Sequence, residues 1–247
     1  MSVVKIVNRR INKVAWANAN GPGFNLNNTA DIWRVNVSAN CSILENFKLT
    51  LRPDEITRAN RYLQVKDQNR FIVSRGALRH ILGVYLNRLP AMIEFKEGVN
   101  KKPELADAAV PRYNVSHSGD WVLIGIADSE IGVDVEFINK NFEFGDVMPN
   151  IFTPDEISYV NQGDALERFY ALWTRKEALT KATAQGLDEN FKVLPGLDGH
   201  HRINDKTVLS GDSWQINSFE LDENYIASAA VDSLVKEIRF WDIDFKI

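Results

Sequence analysis

The chain has 247 residues, 45% hydrophobic and 25% charged, enough to bury a substantial core as one large domain or two ordinary ones. Its formal net charge of −4 gives no electrostatic footprint for duplex nucleic acid or an anionic membrane, so neither is expected as a partner. The lone Cys41 excludes an intrachain disulfide and a cysteine-based zinc site, which fits a reducing cytoplasm; no run has the apolar length of a signal peptide or a membrane span.

Residues 1–30 close in the turn-rich run Ala17-Asn18-Ala19-Asn20-Gly21-Pro22-Gly23-Phe24-Asn25 and read as an extension ahead of the main fold. Ile32 to Val37 alternates and predicts a strand. Pro53-Asp54-Glu55 is a helix start that leads into a long basic-amphipathic segment carrying Arg58, Arg61, Arg70, Arg75 and Arg79 beside apolar Phe71, Leu78, Leu82 and Leu86. Arg112–Ser118 and Trp121–Ala127 predict two strands joined at Gly119-Asp120, and the Gly132 strand follows at once. Then come a phenylalanine-rich loop, a helix opening at Thr153-Pro154-Asp155-Glu156, and a second helix through Trp173 that closes near Gly186. Trp214–Phe219, Tyr225–Val231 and Glu237–Trp241 predict strands of an antiparallel sheet. Helix and strand mix without regular βαβ alternation, so the expected class is α+β.

Two acidic signals stand out. In Ile131-Gly132-Val133-Asp134-Val135-Glu136 the two carboxylates sit two apart, so a strand sends both to one face. In the 172–181 segment, Trp173, Glu177 and Lys181 share one side of a helix. Hard carboxylate oxygens with a lysine nearby describe a magnesium-and-phosphate site. Taken singly each signal has a plainer reading: solvated acids at a strand end, an ordinary surface helix pair, a solvated arginine face. His117 lacks a Gly-x-Ser-x-Gly elbow, so a serine-hydrolase triad has little support.

Asn114-Val115-Ser116-His117-Ser118, Gly132-Val133-Asp134-Val135-Glu136 and Trp173-Thr174-Arg175-Lys176-Glu177-Ala178-Leu179-Thr180-Lys181, in this order, resemble the signature set of the 4'-phosphopantetheinyl transferases of the surfactin-synthetase-activating (Sfp) type. The segment from Arg70 to Leu82 is similar to that family's preceding helical motif. The resemblance implies a monomer with a pseudo-two-fold pair of α+β subdomains, 1–128 (with 1–30 as extension) and 129–247, and coenzyme A in the cleft between them. It implies Asp134, Glu136 and Glu177 as magnesium ligands, and Arg58, Arg70 and His117 with neighbouring Ser116 around the nucleotide 3'-phosphate. Lys181 falls near the pyrophosphate, and Lys102 with Pro103 at a phosphate or adenine-side contact. Two departures are visible: Glu55 stands where a lysine is usual, and Lys101 replaces the glycine of Gly-Lys-Pro.

The implied reaction moves 4'-phosphopantetheine from coenzyme A to a serine of an apo acyl- or peptidyl-carrier protein of fatty-acid, polyketide or nonribosomal peptide synthesis, releasing adenosine 3',5'-bisphosphate. Glu177 is the first candidate for the base, directly or through a water, and Lys181 a second positive contact on the reacting phosphates. The loop from Phe142 to Phe152 is the expected landing surface for the carrier. The alternatives are a non-catalytic coenzyme A-binding regulatory protein and a magnesium-dependent phosphohydrolase.

Overall fold

The computed structural model describes residues 3–19, 25–107, 110–186, 189–208 and 210–245. In chain order, β1 (Val3–Ile11), β2 (Ala17–Asn18) and β3 (Thr29–Asn36) precede α1 (Leu44–Lys48), α2 (Pro53–Ala59) and α3 (Val65–Leu86). Five strands follow: β4 (Phe95–Glu97), β5 (Pro103–Leu105), β6 (Arg112–Ser118), β7 (Trp121–Ala127) and β8 (Ile131–Phe137). The rest comprises α4 (Met148–Ile151), α5 (Pro154–Asn161), α6 (Ala165–Thr183), β9 (Gly199–Asn204), α7 (Asp205–Val208), β10 (Trp214–Asp222), β11 (Tyr225–Asp232) and β12 (Glu237–Asp242).

One unit is built twice: a strand, a long helix, and a hairpin whose second strand returns beside the first. It consists of β3, α3, β6 and β7 in one half and β8, α6, β10 and β11 in the other. In both, the first strand pairs antiparallel with the last, giving the orders β3-β7-β6 and β8-β11-β10. This repetition is the pseudo-two-fold α+β fold that the sequence led us to expect.

The termini are exchanged between the halves. β1 runs parallel to β10 and antiparallel to β9, so residues 3–11 form an interior strand of the second sheet rather than an extension. Its alternation carries the assignment, with Val4, Ile6 and Asn8 buried in turn. β12 likewise leaves the antiparallel sheet expected for it and runs parallel to β3 in the first. The expected long basic segment is broken at residues 60–64 into α2 and α3. The Gly21-Pro22-Gly23 turn lies outside the described residues.

Every residue of β7 is buried, because both of its faces are covered. Val122, Ile124 and Ile126 join the core beneath α3, whereas Trp121, Leu123 and Ala127 pack with Ile131, Val133, Val135 and Phe219 of the other half. The two sheets therefore share a wall, and their edge strands β6 and β8 are held side by side.

Candidate active site

The site is set by how β6 meets β8. Both are edge strands, and an exposed edge leaves amide groups without partners. Asn114, Ser116 and Ser118 alternate along one face of β6 and supply those partners. Val133 N donates to Asn114 Oδ1 (2.9 Å), Val135 N to Ser116 Oγ (3.4 Å) and Phe137 N to Ser118 Oγ (3.0 Å). The hydroxyls then donate onward, Ser116 to Asp134 Oδ1 (2.9 Å) and Ser118 to Glu136 Oε2 (3.0 Å). The Asn-x-Ser-x-Ser pattern is thus a side-chain ladder that joins the halves and orients both acids.

Helix α6 supplies the other wall. Asp164 caps its start by accepting from Glu167 N at 3.1 Å, and it ends at Ala184 in the left-handed conformation (φ 54°), slightly before the expected Gly186. Gly132 decides how close the helix comes. A Cβ there would stand 2.0 Å from Ala178 O and 2.3 Å from Ala182 N, so only glycine admits this approach. Glu177 and Lys181 are thereby brought against β8.

Lys181 Nζ lies 2.6 Å from Asp134 Oδ1 and 3.1 Å from Ser116 Oγ. Asp134 is only 3% exposed, and burial pushes its carboxyl up against the opposing pull of Lys181 and Ser116. Glu136 is raised by burial and by the charge of Asp134, while Ser118 and Trp173 draw it back. Glu177 is pushed up to about 7, first by burial and then by Asp134 and Glu136, with Lys181 opposing. All three acids are raised first by burial, and the charge of Asp134 adds to the rise at Glu136 and Glu177, so the site is short of positive charge.

The donor set suits a hard divalent cation. Asp134 Oδ2 is buried with no hydrogen-bond partner, and the three groups offer carboxylate oxygens only. Among the described residues no three such side chains converge on one point. Lys181 instead provides the compensating charge at Asp134.

Basic side chains lie near this wall. His117 is depressed by burial and then by the charges of Arg70, Lys181 and Arg58, which places all four in one electrostatic neighbourhood. Arg70 donates to Asp67 Oδ1 (2.7 Å) and Gly119 O (3.3 Å), and the Arg58 guanidinium lies 5.2 Å from the Phe71 ring centroid. A cleft of about 260 Å³ is lined by Lys101, Lys102, Pro103, Asn114, Glu177 and Lys181, among others. A larger hollow of about 570 Å³ beside Trp33, His80 and Phe245 contains none of the three acids, and Arg58 lines a separate one of about 660 Å³ with Asp54, Thr57, Arg61 and Tyr62.

Some candidates occupy other roles. Lys102 Nζ is engaged by Glu130 (2.7 Å), Ala182 O (3.0 Å) and Ile131 O (3.3 Å). Glu55, which stands where a lysine is usual in the family, is buried and paired with Arg79 (2.7 Å) and Arg75 (3.3 Å), so those arginines brace the fold. Arg175 and Lys176 are structural too: Arg175 binds Ser218, Gly196 O and Asp198, and Lys176 binds Glu156, Ile151 O and Lys192 O. In the phenylalanine loop, Phe152 is fully buried, Met148 is 8% exposed, and Phe144 stacks on Phe169 with centroids 4.7 Å apart. Only Phe142 there, and Phe137 nearby, present large exposed rings, because the others anchor the loop to α6.

Two family models match in tandem: "4'-phosphopantetheinyl transferase, N-terminal" over residues 29–129 and "4'-phosphopantetheinyl transferase superfamily" over residues 130–230. With the fold and the paired acids, they define the class: the chain belongs to the 4'-phosphopantetheinyl transferase superfamily, enzymes that transfer phosphopantetheine. Among individual relatives, it is 33% identical to a Synechocystis sp. protein provisionally named as such a transferase, over 68% of this chain and 76% of that one. It is 28% identical to the transferase HetI of Nostoc sp., over 87% and 93% of the two chains. It is 26% identical to the transferase Sfp of Bacillus subtilis, over 73% and 82%. Among the described residues no helix is long and apolar enough to cross a membrane.

Proposed function

We propose that this enzyme transfers 4'-phosphopantetheine from coenzyme A to a serine hydroxyl of an apo acyl- or peptidyl-carrier protein, using magnesium held by Asp134, Glu136 and Glu177. The observation that carries the reading is a cleft in which Glu177 and Lys181 stand together, with Lys181 Nζ 2.6 Å from buried Asp134 and the charges of Arg70, Lys181 and Arg58 acting on nearby His117. Such a cleft suits a ligand with several phosphates, whose charges need both cations and metal.

In this reading Arg58, Arg70 and His117 hold the nucleotide 3'-phosphate, and Ser116 keeps Asp134 and Lys181 in register. When bound, the metal would neutralise charge on the pyrophosphate oxygens during phosphoryl transfer. Lys181 adds a positive contact to those oxygens as the P–O bond to the departing adenosine 3',5'-bisphosphate breaks. Glu177, raised by its buried setting, accepts the proton as the serine oxygen bonds to phosphorus. Exposed Phe137 and Phe142, on the loop side of the acids, offer an apolar footing for the carrier.

The test is the intact mass of an apo carrier protein after incubation with coenzyme A, magnesium and the enzyme, with a chelator control. A magnesium-dependent gain of one phosphopantetheine group supports the reading. Coenzyme A consumption without carrier would favour a phosphohydrolase, and coenzyme A binding with no mass gain on any carrier would reject the transfer.

A further inference from the structure

Resting on the reading of the cleft as a coenzyme A site, we infer that Lys101 is an additional cationic contact for the phosphates of the bound nucleotide, held at the cleft mouth by a strained turn. The turn is well fixed: Gly98 N donates to Lys102 O (2.8 Å), Lys101 N to Gly98 O (3.2 Å) and Lys102 N to Val99 O (3.0 Å). Asn100 ties it to the other half by donating from Nδ2 to Ala184 O (2.7 Å) and Gln185 O (3.3 Å), just past the end of α6.

Within this turn Asn100 has φ 48° and Lys101 φ 62°. Asparagine tolerates the left-handed region, whereas lysine is disfavoured there and glycine is not. The side chain at position 101 is therefore kept against backbone preference. The ammonium of Lys102, expected at a phosphate or adenine-side contact, already binds Glu130, Ile131 O and Ala182 O. Lys101 is exposed, lines the same cleft as Glu177 and Lys181, and has no ion-pair partner among the described residues. The cationic role moves by one residue along the chain.

The experiment measures binding of coenzyme A and 3'-dephospho-coenzyme A by calorimetry, at low and high salt, to the wild type and to the Lys101→Gln, Lys101→Gly and Lys101→Arg variants. Lys101→Gln removes the charge but keeps a Cβ, whereas Lys101→Gly also relieves the backbone. Both should weaken coenzyme A binding roughly threefold to fivefold at low salt, with Lys101→Arg near wild type. The difference should shrink toward 1 M salt, where the Debye length is about 3 Å. Lys101→Gly alone should also raise the melting temperature, by about 2–4 °C. A loss confined to coenzyme A assigns the contact to the 3'-phosphate; a loss shared with the dephospho form assigns it to the pyrophosphate. Wild-type affinity in Lys101→Gln at low salt would overturn the inference. No coenzyme A binding by the wild type would instead overturn the reading of the cleft, and this inference with it.

Discussion

The two halves use one bracket and then diverge. Helices α2 and α5 both open with Pro-Asp-Glu-Ile, and the glutamate of each accepts from the backbone amide at its own helix start: Arg52 N to Glu55 Oε2 (3.0 Å), Thr153 N to Glu156 Oε2 (2.8 Å). Each glutamate then pairs with a fully buried cation on the long helix, Arg79 at 2.7 Å and Lys176 at 2.8 Å. The next residue along is His80 in one helix and Glu177 in the other. In the second half, Gly132 on the first strand lets α6 touch β8, so Glu177 and Lys181 reach Asp134. In the first half, β3 carries Trp33, which meets Tyr85 of α3 through Nε1–Oη (3.1 Å), and His80 faces an apolar hollow of about 570 Å³. Close helix–strand contact makes the reactive cleft, and a bulky residue at the matching strand leaves a hollow.

The bracket itself should show the largest stability effect. Arg79→Met and Lys176→Met each remove the fully buried cation from a buried carboxylate, Glu55 keeping only the partly exposed Arg75 at 3.3 Å, and should each cost about 3–5 kcal/mol in urea unfolding. Closely matched losses support equivalence, and a negligible loss at one site would end it. Gly132→Ala should cost about 1–3 kcal/mol, since its Cβ meets backbone that cannot rotate away, and should also lower turnover because α6 must retreat with Glu177. Wild-type stability and turnover in the Gly132→Ala enzyme would show that the close approach is not what builds the cleft.

The smallest expected effect is on pH. Burial depresses His80 below its ordinary 6.5, so the unfolded chain takes up its proton first as pH falls. The stability tied to neutral His80 is therefore complete above about 6.5 and declines below it, by less than about 1 kcal/mol. His80→Leu should flatten the acid limb of the stability curve between about pH 6.5 and 5. An unchanged limb would remove His80 from the account.

Local pattern made much of this legible. The Gly119 hairpin, the Asp134 strand and the Trp173 helix all follow from period and turn chemistry, and the ordered motifs led to the family. The terminal exchange did not, although Val4, Ile6 and Asn8 alternate, because a single strand does not reveal which distant strand it will pair with. The repeated Pro-Asp-Glu-Ile is plain in the sequence, but its meaning comes only from the two buried cations that meet it. Asn114, Ser116 and Ser118 were visible as a motif, but their bonding to the edge of β8 depends on two sheets meeting. Lys102 shows the same limit: its sequence position says nothing of Glu130, 2.7 Å from its ammonium.

The most direct test of the acid cleft is the turnover of Asp134→Ala on an apo carrier protein at saturating magnesium and coenzyme A, with circular dichroism to confirm the fold. The expected result is a folded enzyme whose kcat falls about 100-fold or more, because the buried carboxylate that anchors Lys181, and that we propose as a magnesium ligand, is gone. Turnover near the wild-type value in a folded Asp134→Ala enzyme would contradict the account.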